Sequence, residues 1–430
     1  MGSAILLLAA AALILAFSFR PLVRAVRNPS PGGAILITSM SYLAGSSILV
    51  LRDGTGPEID VLRICCVFLP PFLLGYFGAA RSLGLALEIR ADRVPQVAKK
   101  KSASTQIWAF FLMILTLVLI AVYISGTDRI LLAIYQFIFL GDTGISVIDL
   151  RLGFATGEDG YFAPGYIKQL RDILLPLSAL LVLFAIPRGG RRLLWVLAWV
   201  VPVVALLMIS SGERGPVLLF LLATTYSAIL SVRMGAIDRK TIVTPLLVIW
   251  IVGGSVFAAL TSTYTTRNYE DSSFGSILVD RIVTTVPAEN SDTYQVWGKG
   301  APFLGAGWIS ELSTILPGKH IVLSTQLHDE LGGGDKGNSV LGTWADVFFN
   351  FDWTAGVIAS LFIGIFFAIY GNWVNSRRMR SPVAAICGLW ISITMLTVYS
   401  PFGFILYGPF ILSFILVIIS RRRRRHFDRS

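Results

Sequence analysis

The sequence predicts an all-α, polytopic membrane helical bundle of about eleven transmembrane helices with a long helical extracytoplasmic loop. Three observations predict it. The 430-residue chain is 55% hydrophobic and only 14% charged, whereas soluble domains carry about 25% charged residues. Eleven apolar stretches approach the ~20 residues that a spanning helix needs. The basic residues between those stretches gather on one side. With three cysteines in 430 residues, a disulfide scaffold is excluded. A soluble enzyme and a disordered chain are excluded by the same composition.

The apolar stretches run 2–19, 33–51, 64–87, 107–125, 173–187, 193–210, 216–231, 241–260, 354–374, 383–399 and 404–420. The first is not patterned as a cleaved leader, because no positive charge precedes it while Arg20, Arg24 and Arg27 follow. The fifth and seventh are short. The third holds Arg81, the one ionisable side chain within these stretches, near its inner end. Cys65, Cys66 and Cys387 fall inside stretches and read as small buried apolar residues.

Placing 20–32, 81–106, 188–192, 232–240, 375–382 and 421–430 in the cytoplasm puts 24 of the 36 Lys and Arg there, with only 4 of the 25 Asp and Glu. This satisfies the positive-inside rule along the whole chain. It orients the N-terminus extracytoplasmic and the C-terminus cytoplasmic. The net charge of +11 is therefore topology rather than a nucleic-acid partner, and Arg421–Arg425 reads first as a stop-transfer anchor.

The whole of 1–430 reads as a single integral membrane domain. Its polar sequence lies on the outer face, in a first extracytoplasmic loop at 126–172 and a large one at 261–353. Loops of that length are functional or disordered. The large loop is patterned as short helices. In 274–286, Phe274, Leu278, Ile282 and Val286 recur every four residues, opposite Ser276, Asp280, Arg281 and Thr284. A second stretch carries Trp308, Leu312 and Ile315 and stops at Pro317-Gly318. A third begins near Asn338-Ser339, with Leu341, Trp344, Phe348 and Phe351 on one stripe and Thr343, Asp346 and Asn350 on another. Such helices are expected at the outer membrane face.

The spans hold no acid or histidine relay and no arginine ladder, which disfavours a pump, an antiporter or a voltage sensor. Walker, dinucleotide, HExxH and GxSxG patterns are absent from the sequence. His320, His328 and His426 do not form a metal-ligand pattern. The candidate chemistry is extracytoplasmic.

Ser210-Ser211-Gly212-Glu213-Arg214-Gly215 precedes the seventh stretch. Gly337-Asn338-Ser339, Ala345-Asp346-Val347-Phe348-Phe349-Asn350-Phe351 and then Gly356 close the large loop. A G/S-x-R-G element leading into a helix, a long outer loop and a closing G-x-S…E/D-x-[FY]-x-N-F-G element resemble the bacterial oligosaccharide repeat-unit polymerases (O-antigen polymerases, Wzy-type). The pattern's Asn-Phe-Gly reads Asn350-Phe351-Asp352 here. The resemblance implies a GT-C-like membrane glycosyltransferase of the bacterial inner membrane. It would polymerise undecaprenyl-diphosphate-linked oligosaccharide repeat units into an O-antigen, capsule or exopolysaccharide. It implies no cofactor, metal or nucleotide sugar; its partners would be membrane lipid, a flippase and a chain-length regulator. An O-antigen-ligase-like transferase relying on a loop histidine, His320 or His328, is the nearest alternative. A lipid-linked oligosaccharide flippase or a non-catalytic scaffold is more distant.

The residues suggest roles consistent with that chemistry. Arginine offers diphosphate a rigid, permanently charged fork. Arg214, with helix N-terminal amides beside it, is the first candidate, or else an interfacial anchor paired with Glu213. Arg267, Arg281 and Arg171 are further candidates, each also readable as a solvated charge. The acceptor hydroxyl needs a base; His328, Glu330 and Asp346 are the candidates, alongside neighbouring Asp329. Asp346 is otherwise a hydrogen-bonding residue at the helix–span junction, with Asn350 on the same face for substrate. Tyr264, Tyr269, Tyr294, Trp297 and Trp308 read as interfacial belt or loop core before they read as sugar platforms.

Overall fold

A computed structural model describes residues 2–54, 56–85, 87, 103–124, 173–185, 190–209, 214–233, 237–268, 283–298, 307, 327, 329–333, 341–375 and 381–396. Within these, the regular structure is helical and no strand occurs. The helices are α1 (Gly2–Arg27), α2 (Pro31–Arg52), α3 (Gly56–Ser82), α4 (Ala103–Ile124), α5 (Leu175–Ala185), α6 (Gly190–Ile209), α7 (Arg214–Arg233), α8 (Arg239–Asn268), α9 (Thr285–Trp297), α10 (Thr343–Asn375) and α11 (Ser381–Leu396). Among the described residues, five helices are long and apolar enough to cross a membrane: Gly2–Arg27, Gly32–Arg52, Gly56–Ser82, Gly215–Arg233 and Thr343–Trp373. Shorter apolar helical segments lie at Phe110–Leu119, Ile242–Ala258 and Ala384–Ile393. The stretch 404–420 and the loop 126–172 lie outside the described residues.

The chain divides into two compact units. In the first, α3 packs along α10, and α1, α2 and α9 pack against α3 or one another. In the second, α7 packs along α11, α7 and α6 contact α8, and α4 and α11 contact α5. Both units present large apolar side chains outward: Phe17 and Leu13 on α1, Phe362 and Ile358 on α10, Trp199 on α6 and Ile251 on α8. Water would penalise such surfaces, whereas lipid accommodates them. Cys65 and Cys387 are buried and Cys66 half-buried, all as free thiols.

Helix limits follow local chemistry more than the hydropathy run. α2 begins where the Ser30 hydroxyl accepts from the Gly33 amide at 3.1 Å, with Pro31 at the first helical position. It ends at Asp53, whose amide donates to the Leu49 carbonyl, and Gly54 then turns the chain at φ +61°. α3 starts at Gly56, earlier than the apolar run beginning at 64. Its first turns carry Glu58, Asp60 and Arg63, and the Asp60–Arg63 pair at 2.9 Å lets charged residues remain helical. It stops at Ser82 rather than 87, ahead of Gly84 at φ +60°.

Close helix crossings hold the first unit together. A Cβ built at Gly75 of α3 would lie 2.2 Å from the Leu361 carbonyl oxygen of α10. One built at Gly364 of α10 would lie 2.2 Å from the Phe72 carbonyl oxygen of α3. Membrane helices associate through such small residues because lipid supplies little hydrophobic drive between them. In the second unit Gly388 of α11 meets Ser227 of α7, and the Ser227 hydroxyl donates to the Ala385 carbonyl at 3.3 Å.

α10 is two helical segments joined at Asp352, which sits at φ 57°, ψ −171°. It is the only non-glycine residue with positive φ among the described residues. That region belongs essentially to glycine and costs other residues about 1–3 kcal/mol. The glycine expected at this position in the Asn-Phe-Gly pattern thus has a backbone reason. Asp352→Gly should raise the stability of the purified protein by about 1 kcal/mol, read as a higher thermal midpoint in detergent. A midpoint lower than wild type would show that the aspartate side chain matters more than the strain.

Candidate functional site

Of the candidates among the described residues, Asp346, Asn350 and Glu330 lie in the first unit, whereas Arg214 and Arg267 lie in the second. Residues 341–350 are all buried. The apolar and the polar stripes are therefore both covered, and this segment is not a surface helix. On the apolar side, Trp344 packs on Phe72 of α3 at 5.2 Å between ring centroids, and Phe348 packs on Tyr294 of α9 at 5.7 Å. Trp353 closes the cluster between Phe348 and Phe68.

On the polar side, Asp346 is 1% exposed. Its amide donates to the Gly342 carbonyl at 2.9 Å. One turn on, the Asn350 side-chain amide donates to the Asp346 carbonyl at 2.9 Å and to its carboxylate Oδ1 at 3.1 Å. The amide of Gly342 donates to Oδ1 of Asn290, on α9, at 3.0 Å, while Nδ2 of Asn290 donates to the Val286 carbonyl. Gly342 is required there because a Cβ would lie 2.5 Å from the Tyr42 ring of α2. Asn290, Gly342, Asp346 and Asn350 thus form a continuous hydrogen-bonded run joining α9 to the start of α10. Burial makes each member costly to leave unpaired. Asp346 is buried, and its contacts fit the junction role that the sequence leaves open. Asn350 donates to Asp346 through Nδ2, while its Oδ1 is buried without a hydrogen-bond partner among the described residues.

Glu330 is placed differently. It lies in a five-residue π turn, Asp329–Gly333, and is exposed. The indole Nε1–H of Trp297, the last residue of α9, donates to its carboxylate Oε2. The Trp297 ring stands edge-on to Phe349 of α10 at 5.8 Å. α9 is therefore tied to Gly342, at the start of the α10 segment, through Asn290 and to Glu330 through Trp297. Burial on α9 and the nearby Glu58 carboxylate hold Asp292 above its ordinary carboxylate range. Tyr294 and Trp297 are half-buried and pack on Phe348 and Phe349.

Arg214 is the first residue of α7, with Gly215 and Pro216 in the same turn, where proline is tolerated because its missing amide has no intrahelical partner. Arg267 is the penultimate residue of α8. Glu213, Arg171, Arg281, His328, His320, His426, Tyr269 and Trp308 lie outside the described residues, as do 274–282 of the first expected loop helix and the whole Pro317-Gly318 region. Among the described residues no group of three or more His, Cys, Asp or Glu is placed to hold a metal ion.

Sequence reasoning missed α9 as a helix and Asn290 as a site-building residue. The buried side of α9 is Pro287, Asn290, Ser291 and Thr293, so no apolar periodicity marks it. The available signal was the opposite one, a polar run lacking loop glycines between two patterned segments. No protein-family model, no curated protein and no solved structure matches the chain.

Proposed function

We propose that the protein is a membrane glycosyltransferase that polymerises polyprenyl-diphosphate-linked oligosaccharide repeat units at the extracytoplasmic face of the bacterial inner membrane. The reading includes about eleven spans in a GT-C-like bundle, an extracytoplasmic N-terminus and a cytoplasmic C-terminus. The observation that carries it is the exposed Glu330 carboxylate, oriented by an indole donor, in the long acid-rich loop of an otherwise apolar helical chain.

The reaction needs no nucleotide. The oxygen of an acceptor hydroxyl, at the non-reducing end of one lipid-linked unit, attacks the anomeric carbon of the growing chain. The bond from that carbon to the diphosphate oxygen breaks, and its electron pair leaves with the lipid diphosphate. The hydroxyl proton passes to the Glu330 carboxylate. The departing diphosphate is assigned to Arg214 by the resemblance and by the fit of a guanidinium to phosphate oxygens, not by its distance from Glu330. Asp346 and Asn350 keep the α10 segment in place. Direct displacement inverts the anomeric centre, so comparing substrate and product linkages by NMR should show inversion.

Purified protein in lipid nanodiscs, given a synthetic diphosphate-linked repeat unit, should produce a ladder of glycan lengths. Transfer of a preformed chain to a different acceptor without a ladder would replace polymerisation by ligation. Absence of any covalent change would remove the transferase reading.

A further inference from the structure

We propose that Trp297 is the positioning residue of Glu330, aiming the carboxylate at the acceptor hydroxyl. The proposal rests on the glycosyl-transfer reading with Glu330 as base.

α9 ends at Trp297. Gly298 follows Trp297, and its amide donates to the Tyr294 carbonyl at 2.8 Å. A Cβ at Gly298 would lie 2.4 Å from that same oxygen, so a larger residue there would displace the end of the helix. The last turn is also registered by its rings. Tyr294 stacks on Phe348, and Trp297 meets Phe349 at an interplanar angle of 84°. Phe349 is itself buried. The indole plane is thus fixed by α10 on one side, and its N–H is carried to the Glu330 carboxylate on the other.

An exposed glutamate on a short turn has three rotatable bonds and samples many directions. One donor held by a packed ring selects among them. An indole N–H only donates, so it engages the carboxylate as an acceptor and does not compete for the proton that the base must take. Each carboxylate oxygen has two lone-pair sites, so an indole donor at Oε2 does not by itself exhaust the group's capacity to accept a proton. Binding and catalysis should separate accordingly. Trp297 acts on the direction of the base, not on the diphosphate.

The test uses the full-length purified protein and a synthetic lipid-diphosphate repeat unit. Trp297→Phe keeps a ring against Phe349 and deletes the donor. Its kcat should fall about ten- to hundredfold, as expected for a misaimed group, with KM changed by less than about twofold and an unchanged thermal midpoint. Trp297→His restores a ring donor and should recover part of the lost kcat. In a Glu330→Gln background, Trp297→Phe should cost less than about twofold more, because residues acting as one unit are not additive. Wild-type kcat in a folded Trp297→Phe protein overturns the proposal. So does a full additional loss in the Glu330→Gln background. Wild-type turnover by Glu330→Gln alone overturns the base assignment itself, a failure distinct from that of Trp297.

Discussion

Arg214→Ala should lower kcat/KM for glycan polymerisation at least about a hundredfold in purified protein, with helical content unchanged. In the proposed reaction the leaving group is a lipid diphosphate carrying about two to three negative charges, and its charge grows as the anomeric bond breaks. A fixed guanidinium that meets developing charge typically accounts for about 10²–10³ in rate. The backbone adds to this. Arg214 is the first residue of α7, and a helix N-terminus carries about half a positive charge. Arg214→Lys keeps the charge but loses the bidentate fork, so it should recover only part of the activity. Arg233, in the last turn of the same helix, serves as control. Arg233→Ala should leave polymerisation unchanged. Equal loss in both variants would assign Arg214 to membrane anchoring rather than to the diphosphate.

The largest stability effects should come from Gly75→Ala and Gly364→Ala. Each new methyl would sit 2.2 Å from a carbonyl oxygen of the opposing helix. Those oxygens belong to helical backbone and cannot swing aside as a side chain would. α3 and α10 must then separate, loosening the aromatic contacts of Phe72 with Trp344 and of Phe68 with Trp353. Overpacking of this kind costs about 1–3 kcal/mol per site. Because both glycines lie in one crossing, the double variant should cost less than the two single effects combined. Gly78 lies on the same helix with nothing within 4 Å of a built Cβ. Gly78→Ala should therefore be neutral or slightly stabilising. Thermal unfolding in detergent separates the cases; equal midpoints for Gly75→Ala and Gly78→Ala would contradict the tight crossing.

The apolar helices were legible because lipid demands long unbroken hydrophobic runs, and these survive in sequence whatever the neighbours do. Their ends were less legible. Hydropathy stops at charge, whereas a helix stops where a cap or a left-handed residue stops it, as at Gly54 and Gly84. The start of α3 shows the difference, since Asp60 and Arg63 interrupt the apolar run without interrupting the helix. The polar site was harder to read. Spacing alone placed Asp346 and Asn350 on one face of a helix expected at the outer membrane face. The structure buries it, with Asn350 donating to Asp346 across one turn. α9 escaped notice for the same reason. Partners distant in sequence, such as Trp297 with Glu330 or Asn290 with Gly342, leave no local pattern. At Asp352 the departure from a glycine pattern did mark a real constraint, visible only once its backbone angles were known.

The most direct test of the transferase account is to count carrier release. Wild-type protein in nanodiscs, supplied with a single synthetic polyprenyl-diphosphate repeat unit, should liberate one free lipid diphosphate for every glycosidic bond that appears in the ladder. Lipid diphosphate released without new glycosidic bonds, or a folded protein that forms neither, would contradict it.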